Sequence, residues 1–165
     1  MKEAFITFKQ IGTIRTPYYN NAPYQPVDQE EDSFSIEIHR DYVDGLNDLS
    51  KFSYAYVLFY AHQAQGRAEM VVSPPWAKGK KVGLFSSRSP VRPNPIGLSV
   101  VRIKEIRENM IFISGIDVFD GTPLLDVKPY IKDLDNKSDA NYGWLDELDD
   151  KDHLTLHIKG IPHEH

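Results

Sequence analysis

Apolar and polar residues alternate along much of this chain in short stretches broken by proline and glycine, the period expected of strands that bury one face. The pattern predicts strands over residues 5–14, over 33–38 with Phe34, Ile36 and Ile38 on one face, and over 54–60. The last run is apolar on both faces, which places it centrally. Shorter strands are expected over 70–72 and 81–85. A long pair, 97–106 and 110–115, is joined at Arg107-Glu108-Asn109 as a β-hairpin. A final run over 153–158, with Leu154, Leu156 and Ile158 in phase, supplies one more strand. Helical spacing recurs only over 41–49, through Val43, Leu46 and Leu49.

About seven short strands with so little helix predict a mainly β fold, a small closed or nearly closed β-barrel with one or two short helices. The barrel is expected over 1–135, and residues 136–165 form a C-terminal extension packing on the same domain. Within the extension and the residues before it, 133–152 carry eight acids against Lys137 and Lys151. This acidic stretch holds Trp144 and Leu145, and it reads equally as a small docked helix or a mobile flap.

Composition narrows the chemistry. The 165 residues are 41% hydrophobic and 26% charged, which suits one ordinary core. No cysteine is present, so disulfides, thiolate zinc sites and cysteine nucleophiles are excluded. No apolar run approaches the roughly 20 residues of a membrane span, and the expected location is cytoplasmic. Histidines are not spaced as metal ligands, and no metal is assigned. The net charge of -5 argues against general nucleic-acid binding, yet residues 76–107 hold eight Lys or Arg and a single acid, Glu105. Such a segment can hold a polyanion locally, or it is simply a solvated surface.

Four segments carry more polar function than connecting strands requires. In Ala22-Pro23-Tyr24-Gln25-Pro26, two prolines stiffen the backbone around an amide, which suits an adenine edge or a carboxylate, or a plain surface turn. His62 and Gln63 follow the central strand, where scaffolds present donor and acceptor pairs. Residues 85–97 include Pro90, Pro93 and Pro95, a stiff loop that presents Arg88 and Arg92. Their guanidinium forks suit phosphate or carboxylate, unless they pair with internal acids such as Asp117 or Asp120. Finally, Asp117 and Asp120 sit at a strand end beside the Asp120-Gly121 turn. There they attract a sulfonium or ammonium, accept from a ribose hydroxyl, or cap a turn.

Read in order, IGTIRTPY (11–18), PYQP (23–26), FSYAYVLFYAHQ (52–63), RSPVRPNPIGLS (88–99) and DVFDGTPLLDVKPY (117–130) resemble the TsaA-like family of tRNA methyltransferases. The resemblance covers roughly residues 8–135. It implies a β-barrel, a homodimer, and S-adenosylmethionine bound near the subunit interface. No glycine-rich G-x-G motif follows a strand here, in keeping with a fold outside the Rossmann class. The cofactor contacts implied are Pro23, Tyr24, Gln25, His62, Gln63, Arg88, Leu98, Asp117, Val118, Phe119 and Asp120. The reaction implied is methyl transfer to N6 of threonylcarbamoyladenosine next to the tRNA anticodon, with His62 as the base and Arg92 as a second catalytic candidate. Lys78, Lys80, Lys81, Arg92 and Arg102 would then line a path for anticodon-arm phosphates. Transfer to another small acceptor, or S-adenosylmethionine binding by a non-catalytic sensor barrel, fits the same residues.

Overall fold

The computed structural model describes residues 4–24, 26, 33–77, 79–149, 155, 156 and 161. Its strands are β1 (Gly12–Arg15), β2 (Ser35–Ile38), β3 (Tyr54–Tyr60), β4 (Val71–Val72), β5 (Val82–Gly83), β6 (Ile96–Arg107), β7 (Met110–Ile113) and β8 (Thr122–Pro129). Six of them close into a barrel in the order β1-β2-β7-β6-β3-β8, with β8 returning to β1 and every pair antiparallel. β4 and β5 form a separate two-stranded ribbon.

Alternation fills the barrel as the sequence predicts. Ala55, Val57 and Phe59 of β3 point inward, and Ile14, Ile36, Ile38, Val101, Ile111, Ile113 and Leu124 meet them in one core. Phe59 lies so close over β6 that a Cβ at Gly97 would fall 2.1 Å from its ring, so the glycine lets the two strands pair.

Several expectations need correction. The strand placed over 5–14 begins only at Gly12, where pairing with β2 starts opposite Ile38 before that strand gives way to a 3₁₀ turn, Arg40–Leu46. Ile11 still bonds the Leu124 carbonyl and the His39 N–H. Phe5 and Ile6 are exposed. The helix over 41–49 is two 3₁₀ turns, Arg40–Leu46 and Leu49–Lys51, interrupted where Asp48 adopts φ +66°. Residues 81–85 pair only at Val82–Gly83 before turning into the 3₁₀ segment Leu84–Ser86.

The closing strand is also different. Of residues 153–158 only Thr155 and Leu156 lie among the described residues, and their backbone is helical. The ring is closed by β8, which falls within the segment that reads in sequence as a functional loop. Pro123 and Pro129 masked it, since proline seldom sits in a paired strand, whereas buried Thr122 and Leu124 carry the alternation.

Beyond the barrel, α1 (Lys132–Asp135) leads to a 3₁₀ turn, Gly143–Glu147. This part of the acidic segment is docked. Trp144 stacks on Trp76 with centroids 5.7 Å apart and planes at 15°, and its indole N–H donates to the Ser86 carbonyl at 2.8 Å. Lys80 pairs with Glu147. No helix among the described residues is long and apolar enough to cross a membrane.

Candidate active site at one rim of the barrel

Antiparallel register decides which loops meet. Arg15 faces Ser35, Ile14 faces Thr122, and Tyr60 faces Ile96. The ends of β1, β3 and β7 and the starts of β2, β6 and β8 therefore share one rim. The four segments singled out from the sequence all emerge there: the turn with Pro23 and Tyr24, His62-Gln63, the Arg88 to Pro95 loop, and Asp117 to Asp120.

The β1 and β7–β8 loops are laced together by Thr16, which lies in the IGTIRTPY stretch but has no role assigned to it from the sequence. Buried Thr16 donates its hydroxyl to the Val118 carbonyl at 2.8 Å, and its backbone N–H donates to Asp120 Oδ1 at 3.1 Å. The other carboxylate oxygen of Asp120 lies 3.6 Å from Arg15, which also reaches Glu37 at 3.4 Å. The Asp120 backbone N–H donates to the Tyr18 carbonyl at 2.8 Å. Asp120 thus braces the rim, and Val118 turns its side chain into the core.

Asp117 is placed differently. Burial raises its carboxyl above the ordinary value, while its own backbone amide and the Arg88 guanidinium act in the opposite direction without cancelling the shift. The Tyr18 phenol beside it is raised by burial and then by the Asp117 charge. Asp117, Tyr18 and exposed Arg88 therefore form one electrostatic group on the rim.

His62 is exposed, with Nδ1 3.4 Å from Thr122 Oγ1. Its backbone N–H donates to the Tyr60 carbonyl, and Ala61 N–H donates to the Pro95 carbonyl, both at 2.8 Å. The Ala61 bond ties the His62 loop to the proline-rich loop. Gln63 and Tyr24 are exposed nearby on their loops, Pro23 is partly buried, and Gln25 lies outside the described residues.

Arg92 points its Nη1 at three backbone carbonyls, those of Leu84, Ser87 and Ser89, at 3.3, 2.9 and 3.3 Å. Its guanidinium also lies over the Phe85 ring, so it organises the turn that delivers Arg88. Leu98 stands on the outer face of β6 opposite Leu58. Arg102 is six residues beyond Ile96, about 20 Å along the strand, where it bonds the Tyr54 hydroxyl at 2.6 Å. Its backbone bonds Ser114 in both directions, so Arg102 stands beside the end of β7, well separated along β6 from His62 at the end of β3. Lys80 and exposed Lys81 flank the β4–β5 ribbon, and Lys78 lies outside the described residues.

Among the described residues no group of three or more His, Cys, Asp or Glu is arranged to hold a metal. A cleft of about 500 Å³, lined by Ile11, Tyr42, Phe52 and Asp126 among others, opens at the opposite rim and has none of these residues.

A family model described as the tRNA-methyltransferase O N-terminal domain matches residues 13–136. The chain belongs to that family. Among the tRNA-methyltransferase O relatives, the Escherichia coli K12 tRNA (adenine(37)-N6)-methyltransferase is 35% identical over 144 residues, covering 81% of this chain and 61% of that enzyme. An S-adenosyl-L-methionine-binding protein of Archaeoglobus fulgidus is 37% identical over 130 residues, covering 77% of this chain and 91% of that protein. A crystal structure of TrmO superposes with a TM-score of 0.69 at 32% identity, covering 85% of this chain and 64% of that one. The chain thus spans less than two-thirds of the length of the Escherichia coli enzyme and of the crystallised TrmO.

Proposed function

We propose that this chain is a cytoplasmic, homodimeric enzyme that methylates N6 of threonylcarbamoyladenosine next to the tRNA anticodon, using S-adenosylmethionine. The observation that carries the reading is the rim itself. A partly buried acid, Asp117, with a raised carboxyl, interacts with an exposed arginine, Arg88, and shares the rim with an exposed histidine, His62, on loops of one tRNA-methyltransferase O barrel.

Those residues fit the ligand's chemistry. A carboxyl that burial holds toward neutrality regains its charge when a sulfonium or ammonium is brought to it, and Arg88 offers a fork to a carboxylate. Pro23, Tyr24, Gln63 and Phe119 supply the remaining rim contacts, Gln25 is given the same role by the family resemblance alone, and Val118 and Asp120 fix the loop that carries Asp117. When bound, S-adenosylmethionine supplies a methyl group already activated by its sulfonium. The residues of this chain align the accepting nitrogen, exclude water and take up the proton that leaves it, the last being the role of His62. Arg92 acts from behind, by holding the loop.

The homodimer draws support from the outer face of β3 and β6. The cross-strand pairs Tyr56–Val100, Leu58–Leu98 and Tyr60–Ile96 make an apolar stripe there, and Leu98 alone is 57% exposed. A second copy packed on this stripe covers it and brings Leu98 to the edge of the cofactor site. RNA phosphates are taken up by the basic segment that includes Lys78, Lys80 and Lys81, with Arg92 and Arg102 the further candidates.

A second reading, S-adenosylmethionine binding without transfer, is favoured by one fact: the chain spans 91% of the Archaeoglobus binding protein and less of the named methyltransferases. Incubation with labelled S-adenosylmethionine and tRNA carrying unmethylated threonylcarbamoyladenosine, followed by nucleoside mass analysis, separates the two. A gain of one methyl on that nucleoside is expected. Cofactor binding with no methyl on any nucleoside selects the second reading.

A further inference from the structure

Thr122 is buried on β8, at 2% exposure, and its hydroxyl has two neighbours. It donates to the Phe119 carbonyl at 2.7 Å and lies 3.4 Å from His62 Nδ1. A hydroxyl owns one proton, and a carbonyl oxygen only accepts. The shorter contact takes that proton, so Thr122 Oγ1 faces the imidazole with lone pairs alone.

We infer that Thr122 is a positioning residue that holds neutral His62 as the Nδ1–H tautomer, presenting an unprotonated Nε2 at the rim. The inference rests on His62 as the proton acceptor of the proposed reaction and names what sets its orientation. When the S–methyl bond breaks, leaving its electron pair on sulfur as a neutral thioether, and the N–C bond forms, the accepting nitrogen would lose its proton to Nε2, making the ring an imidazolium. Nδ1–H continues to donate to Thr122, whose own proton stays on Phe119, so the transfer needs no rearrangement behind the ring. The loop beneath is already fixed by the Tyr60 and Pro95 carbonyls, leaving ring orientation as the remaining freedom.

The test begins with the full chain and no RNA. Proton–nitrogen correlation spectra of the imidazoles are recorded at about pH 9, where histidines are uncharged. His62 is assigned by loss of its signals in His62→Gln. Wild type and Thr122→Ser are expected to show His62 protonated at Nδ1, and Thr122→Val to shift it to Nε2 or to a mixture. An Nε2–H signal in the wild type overturns the inference, as does a Thr122→Val spectrum unchanged from wild type.

Turnover adds a second reading of the same residue. Thr122→Val is expected to lower kcat at least about tenfold, within the usual span of general-base contributions, while KM for S-adenosylmethionine stays within about twofold. Thr122→Ser should restore most of the rate. Equal losses in Thr122→Ser and Thr122→Val overturn the positioning role, because packing and not the hydroxyl then matters. Should Thr122→Val not fold, the wild-type tautomer and Thr122→Ser still decide. If tRNA is never methylated, the proposed function fails while the tautomer result stands.

Discussion

Trp144→Ala removes what holds the acidic arm on the basic ribbon. The stack on Trp76, at 5.7 Å and 15°, contributes about 0.5–1.5 kcal/mol beyond area burial. The indole bond to Ser86 at 2.8 Å adds about 0.5–1.5 kcal/mol. The Lys80–Glu147 pair has side chains 37% and 62% exposed and contributes at most about 1 kcal/mol, less in salt. The indole therefore supplies about 1–3 kcal/mol of docking, a factor of about 5–150 in the docked population.

Glu147 occupies Lys80, so on the proposed phosphate path docking would compete with RNA, and apparent RNA affinity would scale with the undocked fraction. Trp144→Ala is expected to bind a labelled anticodon-arm RNA about fivefold tighter or more, read by fluorescence anisotropy at low salt. Lys80→Ala combined with Lys81→Ala should lower the slope of log affinity against log salt by about 1.4–1.8, the contribution of two phosphates. Unchanged RNA affinity in Trp144→Ala, with near-ultraviolet circular dichroism reporting the stack lost, refutes the competition.

The raised Asp117 carboxyl means that its neutral form suits the empty fold. Its stabilising effect is complete below the unfolded value and is lost as pH rises through the folded one. Asp117→Asn should therefore raise the melting temperature at neutral pH and flatten that pH dependence, while calorimetry shows S-adenosylmethionine binding weakened at least about tenfold. Gly97→Ala drives a methyl to 2.1 Å from Phe59, and overpacking of about 1–3 kcal/mol should lower Tm by about 2–12 °C, with Phe59→Leu restoring part of it. Leu98→Asp places a charge on the apolar stripe and should yield monomer in sedimentation velocity; an intact dimer moves the interface elsewhere.

Legibility in the sequence followed the range of the interaction. β3 is read to the residue because its apolar character is local, and the β6–β7 hairpin because its turn is adjacent in the chain. Phe5, Ile6 and Phe8 look the same locally but are exposed and lie outside any strand, which alternation alone does not reveal. β8 was hidden by two prolines and by polar residues that drew attention to its chemistry. In the site, residue types and loops were legible, whereas roles that depend on distant partners were not. Asp120 became a brace through Thr16, 104 positions earlier, and Arg92 through three carbonyls. Thr122 carries only a weak signal, a buried-phase polar residue directly after a turn.

The ring closes on Thr122–Pro129, so among the described residues no strand pairing of the barrel involves a residue after Tyr130. The docked arm beyond Tyr130 is mounted on the outside, with Trp76 and the Ser86 carbonyl as its socket. An appendage held this way can be exchanged, lengthened or lost over evolution without reopening the barrel. One rim can thereby be kept while the segment beyond it changes.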